Sequence, residues 1–320
     1  MSAPAPAVEL DGQYRVLREE AGYLPRRRAM LLVSGPDAAE YVQGQLTNDI
    51  EALAPGAGCY AALLDRKGHL VSDMRVLRLE SHGDGVWLDL EAGHSEAVLK
   101  HLRTYSIGRD VQVEDVGPRW AMLSAVGPRA AELAGFAGLA PEHAQRFREW
   151  DGTEVLGVAT DLGLDLIVRA DQLEGLEQLL RDAGVAEVSE EAAEILRIES
   201  GRPRFGLDMG PESMPAEVGI VQRAVNFEKG CYIGQEPVAR LHYRGKPNRT
   251  LRGLRLSGTA ETGQPLLLGE REIGRIGSTC LSPALGPIAL AIVRREAEVG
   301  DRLTVGGEIT AEVVELPFLQ

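Results

Sequence analysis

Apolar residues change their spacing several times along this 320-residue chain, and each change predicts an element. Residues 60–64, 70–79 and 86–90 form β-like apolar runs, as do 145–150, 154–160 and 164–168. The helical period appears instead over 95–103 (SEAVLKHLR) and 173–181 (LEGLEQLLR). For the second of these, Asp171 with Glu174 three residues on predicts an N-terminal cap, and Gly184 predicts the stop. Both sets follow an apolar strand, a Gly-Pro turn and a helix start. Val33-Ser34-Gly35-Pro36-Asp37-Ala38-Ala39-Glu40-Tyr41 is echoed by Ala125-Val126-Gly127-Pro128-Arg129-Ala130-Ala131-Glu132-Leu133. The first two-thirds therefore reads as a diverged duplication, each half in the ferredoxin-like order β-α-β-β-α-β.

Ser189 reads as the cap of a further helix carrying Ala192, Ile195 and Leu196, ended by Gly201 and Pro203. Residues 202–249 are rich in Gly, Pro and Arg and lack a clear period, the pattern of a loop that carries function on a rigid scaffold. From 251 onward, short alternating strands between Gly, Pro and Asp signals predict a small β-barrel. The domain reading is 1–119 for the first half, 120–250 for the second half with the loop segment, and 251–320 for the barrel. A chain of this length fits two or three domains.

Composition narrows the function. Apolar residues make up 44% and charged ones 26%, enough for a sizeable core, and the net charge is −14. Such a surface repels nucleic acid on average, so an anionic partner needs a local basic patch. No apolar run approaches the roughly 20 residues of a membrane span. Residues 1–8 are Ala/Pro-rich without a basic start, which reads as a flexible tail and predicts a cytoplasmic protein. Cys59, Cys231 and Cys280 are scattered and form no C-x-x-C pair, so neither a disulfide framework nor a zinc site is expected.

Chemistry concentrates around Lys229-Gly230-Cys231-Tyr232-Ile233-Gly234-Gln235-Glu236. A helix starting after Gly234 would put Cys231 just ahead of its N-terminus, with Lys229 close in sequence, and both favour a thiolate. A buried structural cysteine in a tight turn explains the same residues equally well. Downstream, Arg240, His242, Arg244, Lys246, Arg249 and Arg252 form a basic run with no acid between Pro237 and Arg252. It could receive phosphates of RNA or carboxylates of a small ligand, or pair with acids elsewhere in the chain. A third feature is Gly68-His69-Leu70-Val71-Ser72-Asp73, a turn into a strand. Alternation puts Asp73 on the face of Val71 and Arg75, either aimed into a pocket or paired with an arginine.

With Arg240 downstream, the cysteine motif resembles the signature of the YgfZ-type folate-binding proteins, relatives of the glycine-cleavage T-protein (aminomethyltransferase). Val33-Ser34-Gly35-Pro36-Asp37-Ala38, Gln43-Gly44-Gln45-Leu46-Thr47-Asn48-Asp49, Arg197-Ile198-Glu199-Ser200-Gly201-Arg202-Pro203 and the final Leu316-Pro317-Phe318 extend the likeness in the right order. The resemblance implies an α+β fold: two interlaced ferredoxin-like lobes and a C-terminal β-barrel in a three-lobed ring, with tetrahydrofolate in a central cavity. It makes Asp73 and Cys231 the catalytic candidates. Asp73, Asp165, Arg197, Lys229, Tyr232, Gln235, Glu236 and Arg240 become the folate-binding candidates. T-proteins lack the cysteine motif, so the implied role is a folate-binding accessory protein that supports iron–sulfur enzyme assembly or repair and tRNA modification. The implied partners are a reduced folate, iron–sulfur client proteins, and tRNA through the basic run, with no membrane. A single thiol is a poor home for an iron–sulfur cluster, which leaves transient transfer, disulfide exchange or a persulfide cap open. A T-protein-type one-carbon transferase with Asp73 as acid/base group is the alternative, and a tRNA-binding module the third.

Overall fold

A computed structural model of the protein describes residues 7–79 and 85–319; most of the tail expected over 1–8 lies outside them. The chain divides into two compact units. The first takes in residues up to Asp65, then Val71–Glu190 and Arg223–Ile233; the second takes in Arg66–Leu70, Glu191–Gln222 and Gly234–Gln320.

In the first unit the chain runs α1 (Ala7–Glu19), β1 (Gly22–Arg26), β2 (Arg28–Ser34), α2 (Ala38–Gln45), β3 (Gly58–Leu64), β4 (Leu70–Arg78), β5 (Val86–Glu91), α3 (Ser95–Tyr105) and β6 (Gln112–Asp115). It continues as β7 (Trp120–Val126), α4 (Ala130–Leu133), β8 (Gln145–Trp150), β9 (Thr153–Thr160), β10 (Gly163–Arg169), α5 (Leu173–Asp182) and β11 (Ala186–Glu187). The apolar runs predicted β3, β4, β5, β8, β9 and β10 to within a few residues. One sheet has the order β3-β4-β5-β2-β6 and the other β11-β1-β7-β10-β9-β8. The order of elements along the chain repeats: β2-α2-β3-β4-β5-α3-β6 is followed by β7-α4-β8-β9-β10-α5-β11. All three apolar runs between the helices become strands, so each repeat carries one strand more than the ferredoxin-like order, and the second sheet takes in β1 as a sixth. As a result β5 returns antiparallel to β2, and β10 antiparallel to β7. The lobes are interlaced, because N-terminal β1 inserts between β7 and β11 in the second sheet.

Both Gly-Pro turns use the same device. Gly35 (φ 115) and Gly127 (φ 126) lie where L side chains are strained. A Cβ on Gly35 would lie 2.3 Å from the Asp110 carbonyl oxygen, and one on Gly127 2.5 Å from that of Glu20. The turn closes over those same carbonyls, which accept from Asp37 N (3.4 Å) and Arg129 N (3.0 Å). The duplication is thus legible in backbone contacts as well as in sequence. Asp171, by contrast, does not cap α5. A short turn over Ala170–Gln172 precedes the helix, and Gln172 takes the cap position without a side-chain hydrogen bond. Gly184 (φ 82) does end it, donating its N–H to Arg181 O at 3.0 Å.

Each sheet buries one face under its own helices, around Leu31, Val42 and Leu88 in the first lobe and Leu123, Leu166 and Leu176 in the second. The opposite faces meet through Met30, Leu77, Trp87, Met122, Leu156 and Ile167. Burying each such side chain contributes about 1.5–3 kcal/mol.

The second unit holds most of α6 (Glu190–Glu199). After α7 (Val221–Ala224) it holds α8 (Gln235–Arg244), β12 (Arg249–Leu256), β13 (Pro265–Leu268), β14 (Arg271–Ser282), β15 (Gly286–Arg294), β16 (Arg302–Val305) and β17 (Ile309–Val314). The strands close into a barrel in the order β12-β15-β14-β13-β16-β17. Alternation sends Leu254, Ala291 and Val313 to the interior, while Leu251 and Leu290 pack outside with Ile198 of α6 and Phe318.

Gly35→Ala and Gly127→Ala should each destabilise the protein by about 1–3 kcal/mol through backbone strain, measurable by urea unfolding. Similar losses at the two positions are expected if the turns are equivalent, whereas a neutral change at either would contradict the contact described.

Candidate functional site

Adjacent strands β3 and β4 bring Tyr60 and Asp73 together, and the Tyr60 hydroxyl donates to Asp73 Oδ2 at 2.6 Å. Oδ1 of Asp73 is shut off from solvent and has no hydrogen-bond partner among the described residues. Burial pushes the Asp73 carboxyl above its ordinary range, opposed by the Tyr60 hydrogen bond and the Arg28 charge. Asp73 is therefore a carboxyl shifted toward its neutral form, with one oxygen tied and the other free.

Arg75, the expected alternative partner for Asp73, points elsewhere. Its Nε donates to Asp89 Oδ2 at 2.5 Å, and a terminal nitrogen meets Asp165 Oδ2 at 2.5 Å. Asp165 also accepts from the Ser124 hydroxyl. Arg28 donates to Asp89 Oδ1 and to Glu91 Oε1, both at 2.7 Å. Burial would raise the Asp89 carboxyl, but Arg28 and Arg75 together hold it below the usual range. Since Asp89 lies on β5 and Asp165 on β10, this chain of charges bolts one sheet to the other. Asp165, expected to contact folate, has one oxygen committed to Arg75 across the sheets and the other to Ser124 on the neighbouring strand.

Tyr60 is framed on its other side. Arg223 lies over its ring at 4.9 Å and donates to Glu142 Oε1 at 2.5 Å. His143 Nε2 sits 3.6 Å from the same carboxylate. Asn48 Nδ2 donates to the backbone oxygens of both Tyr60 (2.8 Å) and Arg223 (3.0 Å). Burial pushes the His143 imidazole down to about 4, so it is neutral at pH 7.

Lys229 is also engaged within the protein. Its buried ammonium is spent on backbone, donating to the carbonyls of Gln43 (2.5 Å), Leu46 (2.7 Å) and Asn48 (2.8 Å) at the C-terminal end of α2. A cation suits that helix end, though burial lowers the ammonium to about 8. Lys229 therefore anchors the 43–48 segment through its three donors. Its Nζ also lies 5.2 Å from the ring of Tyr232, a buried side chain whose hydroxyl is pushed up to about 12 by burial. Cys231 itself is exposed. Cys59 and Cys280 are half-buried thiols pushed up to about 12 by burial, as small core residues should be.

The remaining candidates lie in the second unit. Gln235, Glu236 and Arg240 sit on α8, started by Gly234 in a left-handed conformation (φ 83). Arg240 pairs with Glu236 at 2.6 Å on the exposed helix surface. Helical geometry thus brings back an acid that lies just upstream of the basic run. Arg249 of that run is held by both Glu217 oxygens at 3.0 and 2.9 Å. Arg197, expected at the folate cavity, spends its donors on Glu194, Asp208, Ser278 and the Arg202 carbonyl. Tyr60, Arg28, Asp89, Arg223, Glu142 and His143 were not singled out by sequence. A tyrosine and an acid on successive predicted strands was the available signal, but strand register decides whether they meet.

Two sheets built on the same repeat with their helices, followed by a closed six-stranded barrel, define the fold class of the T-proteins. The GCVT N-terminal domain matches residues 15–229, and the glycine cleavage T-protein C-terminal barrel domain matches 249–320. The chain belongs to the glycine-cleavage T-protein family. It is 30% identical over 331 residues to an aminomethyltransferase of Rubrobacter xylanophilus, covering 97% of this chain and 88% of the relative. An aminomethyltransferase of Exiguobacterium sibiricum is 29% identical over 322 residues, covering 96% and 88%. In fold it is similar to the crystal structure of glycine cleavage system aminomethyltransferase T from Bartonella henselae, with a TM-score of 0.85 at 24% identity, over 97% of this chain and 89% of that one. Among the described residues no helix is long and apolar enough to cross a membrane.

Lys229→Met should cost about 2–3 kcal/mol, because buried carbonyls lose charged donors; equilibrium unfolding with no loss would contradict the anchoring role. For His143, the unfolded chain takes up a proton below its ordinary value of 6.5, while the folded chain resists until about 4. Its contribution to stability is therefore complete above pH 6.5 and is lost as pH falls toward 4. Urea midpoints at pH 7.5, 6 and 5 should fall more steeply for wild type than for His143→Gln.

Proposed function

We propose that this chain binds a reduced folate beside Asp73 and takes part in tetrahydrofolate-dependent one-carbon transfer of the aminomethyl type. The observation that carries this reading is Asp73 itself: a carboxyl shifted toward neutrality, fixed at Oδ2 and lacking a partner at Oδ1 among the described residues. A buried acceptor without a donor fits a ligand rich in N–H groups, and the pterin ring is one. Tetrahydrofolate, when bound, supplies the carrier for the one-carbon unit. The protein's part is to hold or move a proton at Asp73 Oδ1, with Tyr60 orienting the carboxyl and the Arg28–Asp89–Arg75 chain keeping its strand in place. The names of the curated relatives support the same reaction class.

A second reading has its own observation. The thiol of Cys231 is exposed within the Lys229-to-Glu236 motif, which favours a YgfZ-type accessory role in iron–sulfur enzyme maintenance and tRNA modification over turnover. The proton chemistry at Asp73 does not need that thiol. The two readings share the folate and differ in what is done with it.

Calorimetric titration with tetrahydrofolate and 5-formyl-tetrahydrofolate, using wild type and Asp73→Ala, tests the common part. Binding that weakens in the variant is expected, and no binding to either form by wild type would sink both readings. Turnover of an aminomethyl donor should fall about 10²–10⁴-fold in Asp73→Asn if Asp73 is the acid/base group. Folate binding without turnover, together with loss of in-cell activity in Cys231→Ala, would shift the assignment to the accessory role.

A further inference from the structure

Asp73 has two chemically different oxygens, and the difference originates in Tyr60. The phenol donates to Oδ2 at 2.6 Å, while Oδ1 has no hydrogen-bond partner among the described residues. Tyr60 can only donate here, because burial and the neighbouring Asp73 charge push its hydroxyl well above the ordinary value. Its ring cannot swing away easily. Arg223, fastened to Glu142, covers the ring, and Asn48 holds the backbone oxygens of Tyr60 and Arg223 together.

We propose that Tyr60 is a positioning residue that determines which oxygen of Asp73 carries the proton: by occupying Oδ2 as a donor, it confines the proton of the neutral acid to Oδ1. An oxygen already accepting a short hydrogen bond from a hydroxyl is the poorer site for a second proton in that plane. The neutral acid therefore presents an O–H at Oδ1, and the carboxylate presents an open acceptor at the same point. Proton exchange through Asp73 then takes place at a single atom in either direction. This proposal deepens the folate reading and rests on it only for the identity of the group that exchanges the proton.

The charged groups around Asp73 come from each strand nearby. Tyr60 on β3 and Arg28 on β2 favour the carboxylate, while Glu91 on β5 disfavours it. Removing the Tyr60 hydroxyl deletes the one direct side-chain hydrogen bond to the carboxyl among the described residues and leaves the two more distant charges in place. Tyr60→Phe keeps the ring under Arg223, so folding should be preserved.

The test is the carboxyl carbon signal of ¹³C-labelled Asp73, followed by NMR against pH in the ligand-free full-length chain. Wild type and Tyr60→Phe are compared, with Asp73→Asn identifying the signal. Losing a hydrogen bond to the charged form should raise the ionisation midpoint by about one pH unit, a tenfold change in the proton equilibrium. Tetrahydrofolate titration of the same pair should then show the pH dependence of binding displaced in the same direction. An unchanged carbon midpoint in a folded Tyr60→Phe protein would overturn the proposal. A shifted midpoint without folate binding in either protein would leave the Tyr60 assignment standing and remove the folate reading instead.

Discussion

Buried between the two sheets of the first unit, Arg75 meets Asp89 of one lobe and Asp165 of the other, and Arg28 completes the charge balance around Asp89. Charges taken out of water must be compensated locally, and removing one partner typically costs about 3–5 kcal/mol. The ring of apolar contacts around them would tolerate some sliding of one sheet over the other. The ion pairs would not, since a shift of one residue along β5 or β10 turns the carboxylate to the opposite face. The charges therefore set the register of the lobes, and Asp73, two residues from Arg75 on β4, inherits its position from them.

That arrangement explains how much of the molecule could be read before its structure was known. The three central strands and the later helix of each lobe followed from apolar periodicity, whereas α1, β1, β6 and β11 did not. The Gly-Pro echo disclosed the repeat because both glycines meet the same kind of backbone obstacle. The third strand of each lobe lay in plain view as an apolar run. What hid its consequence is that strand order is a matter of pairing, and β5 returns to β2 only in three dimensions. The cap assigned to Asp171 failed for a local reason, since a short extra turn moved the helix start beyond its reach.

The site was less legible. Asp73 could be nominated because an acid sharing a strand face with apolar Val71 needs an explanation, and because the family resemblance pointed to the same position. Its true partner, Tyr60, lies on a neighbouring strand, and alternation does not specify neighbours. Arg197, Arg240 and Arg249 illustrate the complementary difficulty: a basic residue in sequence says nothing about the carboxylates that folding will bring to it. Each turned out to be engaged, with Asp208, Glu236 and Glu217 among their partners. Sequence exposes demand for a partner, and folding decides who meets it.

Lys229 carries a lesson of a different kind. Three carbonyls converge on one ammonium, a geometry suited to a compact, three-donor head and unsuited to the flat fork of an arginine. The first letter of the cysteine motif is thus a fastener for the loop after α2. Lysine and cysteine, two residues apart, answer to separate requirements, so a related chain could keep the fastener after giving up the sulfur. Pattern matching that treats the motif as one unit would merge a rule of architecture with a rule of chemistry, and only the second bears on what such a protein does.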